Sequence, residues 1–198
     1  MFAAIILAAG AATRMGETKQ LLPFGRTTLV QHVIEQAIDA GFDRVAVVVG
    51  AHAPEIIDAI SDLSVDVVRN DAWETGMGSS LVAGLRHILA AGSNPGYVAV
   101  LLADQPLVRA GHLTAMRRLA DVSQSPIVAA RYGGTVGVPA FFHRALFPEL
   151  EALAPTAGAR HLLKLPGQQV AVFDLPEAAV DIDTPEDFSA LLKNRSQW

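Results

Sequence analysis

The sequence predicts an α/β fold: a single-domain, three-layer sandwich whose mostly parallel central sheet carries helices on both faces. Three observations lead there. Short β-branched runs alternate with helical patterns, the order expected when crossover helices join parallel strands. The first run, Ala3-Ala4-Ile5-Ile6-Leu7, is apolar without interruption, as a strand buried on both faces requires. Finally, 198 residues at 51% hydrophobic content suit one core, with no linker, repeat or low-complexity stretch to divide it. One domain over residues 1–198 is expected.

The elements follow in order. After the first strand, Leu29, Val33, Ala37 and Ile38 repeat at helical spacing, and Gly41 is placed to stop that helix. Residues 44–49 read as a strand, 53–60 as a short helix opened by Pro54, and 65–68 as a further strand. A helix starts near Gly78 with a stripe of Leu81, Leu85, Ile88 and Leu89, and 97–102 is a fully apolar strand leading to Asp104. Beyond residue 105 the pattern loosens. It gives a helix near 112–120, a strand at 127–130, a Gly-rich passage at 133–137, helices over 144–153 and 157–165, a strand at 170–173 and a last helix at 185–192.

Composition narrows the function. The net charge is −5 with 18% charged residues, and no Lys/Arg run offers the basic stripe of a nucleic-acid binder. Cysteine is absent, so disulfides, thiolate metal sites and catalytic thiols are excluded, and a metal must be held by oxygen or imidazole. The six histidines lack the close spacing of a zinc site. The apolar run 2–9 is too short to span a bilayer and lacks a basic flank, so it reads as a strand of a cytoplasmic protein without membrane contact.

In an open α/β sheet, ligands gather at the carboxyl ends of the strands, which draws attention to the loop after the first strand. It runs Leu7-Ala8-Ala9-Gly10-Ala11-Ala12-Thr13-Arg14-Met15-Gly16-Glu17-Thr18-Lys19 and is neither a P-loop nor a dinucleotide fingerprint. Its small residues let backbone N–H groups close on phosphate oxygens. Arg14 is able to grip two oxygens at once, and Lys19 supplies a compact charge.

The pattern L-A-A-G-x-x-x-R-M-G-x-x-K-x-L-L resembles the signature of the MobA-like nucleotidyltransferases, most closely their molybdenum cofactor cytidylyltransferase branch. The resemblance continues through Asn70, Gly76-Met77-Gly78-Ser79-Ser80-Leu81, Asp104-Gln105-Pro106, Gly137-x-Pro139, Gly158-Ala159-Arg160 and Asp181-Ile182-Asp183-Thr184-Pro185-Glu186-Asp187. It implies the Rossmann-like nucleotidyltransferase (nucleotide-diphospho-sugar transferase) fold, with a nucleotide-binding N-terminal half and an acceptor-binding C-terminal half. Ala9 and Gln105 are the marks of cytidylyl rather than guanylyl transfer, whereas Val138 and Thr156 depart from the branch.

By this resemblance the nucleotide falls to Leu7, Ala8, Ala9, Gly10, Arg14, Met15, Gly16, Lys19, Asn70, Gly76, Ser79 and Ser80, and the acceptor to Gly137, Pro139 and Arg160. Arg14, Lys19 and Asp104 are the catalytic candidates. Asp104, an acid ending an apolar strand, and Asp183 are the candidate Mg2+ ligands, since a buried carboxylate is costly unless paired. Thr184 and Asp187 instead make a helix cap before Pro185. Ser79 and Ser80 lie where helix N–H groups and hydroxyls would face the first loop, and either serine also suits a cap. Trp73 and Phe141-Phe142 either stack on a ring or belong to core and rim.

The expected reaction is attack by an acceptor phosphate on the α-phosphorus of CTP, with pyrophosphate leaving. The implied acceptor is molybdopterin, and a molybdenum enzyme is a transient partner. Guanylyl or other NMP transfer, and nucleotide-dependent cofactor delivery without chemistry, are the alternatives.

Overall fold

A computed structural model of the protein describes residues 1–11, 15, 16, 18–90, 92, 94–163 and 169–193. The strands are β1 (Phe2–Ala8), β2 (Pro23–Phe24), β3 (Thr27–Thr28), β4 (Arg44–Val49), β5 (Asp66–Arg69), β6 (Tyr97–Leu102), β7 (Ile127–Tyr132), β8 (Thr135–His143) and β9 (Val170–Asp174). The helices are α1 (Leu29–Asp39), α2 (Ala53–Ala59), α3 (Met77–Ala90), α4 (Ala110–Ser123), α5 (Phe147–Glu151), α6 (Arg160–Leu163) and α7 (Pro185–Lys193). β2 and β3 form a small separate hairpin; the other seven strands make one sheet in the order β5-β4-β1-β6-β8-β7-β9. Its pairings are parallel except those of β8.

The uninterrupted apolarity of β1 has the cause the sequence suggested. Ala4, Ile6 and Ala8 face one layer, with residues of α1, α2 and α4, while Ala3, Ile5 and Leu7 face the other, with α3, α5 and α6. Gly84 lets α3 lie close on this sheet, because a Cβ there would come within 2.7 Å of Ile5 Cγ2. Thr28 and Gln31 form a capping box that starts α1, and Gly41 at φ +74° ends it.

The Gly-rich passage is a correction. Gly133 and Gly134, at φ +53° and +73°, are the two-residue turn of a β-hairpin, and Thr135 begins the antiparallel strand β8. Pro139 lies inside this strand although proline cannot donate to a ladder. It sits where the register to β7 shifts between Ala129 and Ala130, a bulge that spares the missing N–H. The expected helix over 157–165 shortens to α6, and its last two positions lie outside the described residues. Phe141 and Phe142 are fully buried core residues on opposite faces of the sheet.

Candidate active site

The carboxyl ends of β1 and β6 open into a cavity of about 440 Å³. Leu7, Ala9 and Gly10 line it from the first loop, Lys19 and Gln20 from a short 3-10 turn, and Trp73, Met77 and Ser80 from the approach to α3. Asp104, Asp181 and Asp183 close its acidic end.

Lys19 ties this end together. Its Nζ donates to Asp104 Oδ2 at 2.6 Å and to Asp183 Oδ1 at 2.8 Å. Burial alone would lower the lysine pKa, but the two carboxylates outweigh it, Asp104 first, and hold the ammonium above its usual range.

Asp183 reaches this point, although far along the chain, because the segment before α7 is tied to the exit of β6. Ile182 N–H donates to the Asp104 carbonyl at 3.1 Å, and Gln105 Nε2 donates to the Ala178 carbonyl at 2.9 Å. Ile182 is buried in a cluster with Met15, Leu22, Leu29 and Leu191, while its neighbours Asp181 and Asp183 line the cavity. Burial, and then the charge of Asp104, raise the Asp181 pKa. Thr184 and Asp187 make the expected cap: Asp187 N–H donates to Thr184 Oγ1, and Thr184 N–H donates to Asp187 Oδ2.

The donor set fits a hard cation. Among the described residues nothing hydrogen-bonds to buried Asp104 Oδ1, an acceptor that a divalent ion would satisfy. Among the described residues no three His, Cys, Asp or Glu side chains converge on a metal position. Two carboxylates leave room for phosphate oxygens, the arrangement magnesium favours.

Several sequence-assigned residues are bonded to or packed within the frame of the site, and one is not described. Arg14 lies outside the described residues. Met15 is 6% exposed, with its side chain in the apolar cluster beneath the loop, so only its backbone remains for a ligand. Ala8 is also buried, and Gly16 stands exposed at φ +75°. Asn70 donates from Nδ2 to both Ser79 Oγ and Ser80 Oγ, each at 2.9 Å, and accepts from Ala72 N–H. Of that group only Ser80 lines the cavity.

The N–H groups at the start of α3 are not all open to a ligand, as the sequence had suggested. Gly78 N–H donates to the Pro155 carbonyl at 2.8 Å, and Ser79 N–H donates to that of Gly76. Gly76 and Gly78 exist for this docking: a Cβ at either would lie 2.5 Å or less from a backbone oxygen of the 154–157 loop.

Gly137, Pro139 and Arg160 do not line the cavity. Arg160 donates to Thr135 Oγ1 at 2.8 Å, and Gly137 leaves room for the Tyr132 hydroxyl, which lies 2.5 Å from where a Cβ would be. The Tyr132 pKa is raised by burial first and then by Asp181, so the hairpin borders the acidic end. Sequence reasoning missed Gln20, whose Nε2 donates to the carbonyls of Ala8 and Gly10 and so fixes the start of the loop. It also missed Gly50, on which Trp73 rests. Neither carries a local signal, because both act through chain segments remote in sequence.

The chain matches the MobA-like NTP transferase domain over residues 4–172. It is 32% identical over 208 residues to the purine catabolism protein PucB of Bacillus subtilis (strain 168), covering 97% of this chain and 96% of that one. It is 31% identical over 202 residues to the nicotine blue oxidoreductase of Paenarthrobacter nicotinovorans, covering 95% of each. The crystal structure of Rv0371c from Mycobacterium tuberculosis H37Rv superposes with a TM-score of 0.81 at 30% identity, covering 97% of both chains. A complex of the same protein with manganese superposes at 0.77, again at 30% identity, covering 97% of this chain and 98% of that one. The chain belongs to the MobA-like NTP transferase family, whose members bind nucleoside triphosphates and phosphorylated acceptors.

Proposed function

We propose that the protein transfers CMP from CTP to the phosphate of molybdopterin, or of its molybdenum-loaded form, with release of pyrophosphate and with Mg2+ as the metal. The observation that carries nucleotidyl transfer is Lys19 held between Asp104 and Asp183 in the lining of a cavity that also carries apolar side chains. An acceptor phosphate is already ionised at neutral pH, so the protein need supply no base. It supplies position and charge instead.

Asp104 and Asp183 would hold the metal, which when bound neutralises the polyphosphate and the departing pyrophosphate. The manganese complex of Rv0371c supports a divalent ion here. Lys19 stabilises the charge that develops on the leaving group, and Arg14 is assigned the same task from sequence. Ala9, whose residue lines the cavity, supports the cytidylyl assignment. The acceptor is assigned to the β7–β8 hairpin side with Gly137, Pro139 and Arg160, giving one domain with a nucleotide half and an acceptor half. No helix among the described residues is long and apolar enough to cross a membrane. A cytoplasmic site of action is part of the proposal, as is transient contact with a molybdenum enzyme that receives the product.

The relative named nicotine blue oxidoreductase favours a second reading, an oxidoreductase. The acidic end with its lysine argues for phosphate and metal. The test is pyrophosphate release with Mg2+, molybdenum-loaded molybdopterin and each of CTP, GTP, ATP and UTP in turn, beside a reduced-nicotinamide oxidation assay. Pyrophosphate release fastest with CTP supports the proposal; nicotinamide oxidation without pyrophosphate release overturns it.

A further inference from the structure

The cavity is divided by chemistry. Among its lining residues Lys19, Asp104 and Asp183 meet in one ionic cluster, and Ala9 and Trp73, which both come close to Gly50, form an apolar portion. A nucleoside triphosphate is divided in the same way, with an anionic chain joined to a flat ring through a ribose. Charge complementarity places the phosphates by Lys19 and the metal ligands, which leaves the ring for the apolar portion.

Trp73 is built into that portion as a fixed wall. It opens the 3-10 turn Trp73–Thr75, and its side chain rests directly on the backbone of Gly50, where a Cβ would lie 2.7 Å from Trp73 Cβ and Cγ and 2.7 Å from the Ala9 carbonyl oxygen. Gly50 is therefore the residue that lets the indole approach the first loop. The excursion carrying Trp73 is pinned at both ends by one side chain, buried Asn70, which accepts from Ala72 N–H and donates to Ser79 and Ser80. Two backbone bonds, Thr75 N–H to the Ala72 carbonyl and Gly76 N–H to the Trp73 carbonyl, close the turn. A side chain whose Cβ and Cγ already rest on a backbone has fewer conformations left to lose, so a ligand that stacks on its ring orders less of it.

We propose that Trp73 is the stacking platform for the nucleobase, a nucleotide-binding residue held in place by Gly50 and Asn70. The inference rests on the nucleotidyl-transfer reading above. It also gives Asn70 and Ser79 a different task from the direct nucleotide contact assigned from sequence: they position the indole.

The experiment uses the full chain with its other tryptophan removed, Trp198→Phe, so that Trp73 is the sole indole. Calorimetry with Mg2+ compares CTP with inorganic tripolyphosphate, which carries the charge but no ring. CTP is expected to quench the Trp73 fluorescence and tripolyphosphate to leave it largely unchanged. Trp73→Ala is expected to weaken CTP about tenfold or more with tripolyphosphate affinity unchanged, and Trp73→Phe, which keeps a flat face, to restore most of the loss. Asn70→Ala is expected to repeat the Trp73→Ala pattern in milder form. CTP affinity unchanged in Trp73→Ala, or CTP and tripolyphosphate weakened equally, overturns the platform while leaving the nucleotide reading in place. A parent protein that binds tripolyphosphate but no nucleoside triphosphate overturns the nucleotide reading itself, and the platform with it.

Discussion

Lys19 donates from Nζ to Asp104 Oδ2 over 2.6 Å, with only 13% of the lysine side chain and 21% of the aspartate side chain reaching solvent. The same ammonium bonds Asp183, so it stands between the two carboxylates assigned to the metal. The lysine is thus a cation that both carboxylates bond.

Removing it has two opposite effects. Lys19→Ala lowers turnover by about two orders of magnitude, on the order of 3 kcal/mol, because a charge opposite the leaving pyrophosphate is lost. Without nucleotide, the same variant binds Mn2+ roughly tenfold more tightly, because a positive charge no longer competes for Asp104 and Asp183. Pyrophosphate release and electron paramagnetic resonance measure the two. Weaker Mn2+ binding in the variant would show that the lysine organises the carboxylates rather than competing for them.

Asp183→Asn separates the metal role from a helix-start role. The cap of α7 is made by Thr184 and Asp187, so the variant keeps its melting temperature without metal. Its rate should need much more Mg2+, about tenfold, and Asp104→Asn should behave likewise. The double variant should cost less than the sum, since both residues serve one ion. An unchanged magnesium midpoint in Asp183→Asn removes it from the metal site.

Gln105→Met tests whether the residue that marks the cytidylyl branch reads the base. Gln105 is 1% exposed, absent from the cavity lining, and bonded to the Ala178 carbonyl. The variant should lose about 1–2 kcal/mol of stability, with the Ala178 carbonyl left unpaired, and should need more Mg2+ because the segment carrying Asp181 and Asp183 loosens. The proposed preference for CTP over GTP should be the same in the variant as in the wild type. A switch to GTP would place Gln105 in base recognition after all.

His32 supplies a pH dependence. Its ring lies 4.6 Å from that of Phe24, with Nε2 3.0 Å from the Pro106 carbonyl oxygen, so it braces the turn after Asp104. Burial lowers its pKa below 6.5, and the Pro106 bond only partly opposes this. The folded protein therefore binds this proton less readily than the unfolded chain. The contribution is full above about pH 6.5 and is lost as pH falls through the folded value. The melting temperature should drop more between pH 7 and 5 in the wild type than in His32→Gln. Parallel curves would remove His32 as a cause.

The sequence by itself determined the layered α/β sandwich, because that information is local: apolar runs at strand length, helical stripes, and glycines where a helix must stop. It also singled out Arg14, Lys19, Asp104 and Asp183 as the catalytic and metal candidates, since cations in a Gly-rich loop and acids at the carboxyl edge of a buried strand are conspicuous one at a time. Strand β8 escaped because Pro139 argues against a ladder unless the bulge opposite Ala129 and Ala130 is known. Only the tertiary structure decided which of these residues meet. The bond from Ile182 N–H to the Asp104 carbonyl carries Asp183 to Lys19 across 164 positions of chain. It also decided that Gly76 and Gly78 accommodate the 154–157 loop, and that Gly50 accommodates Trp73. A glycine in sequence says that space is needed. What fills that space depends on close approaches between remote segments, and those are fixed only when the whole core packs.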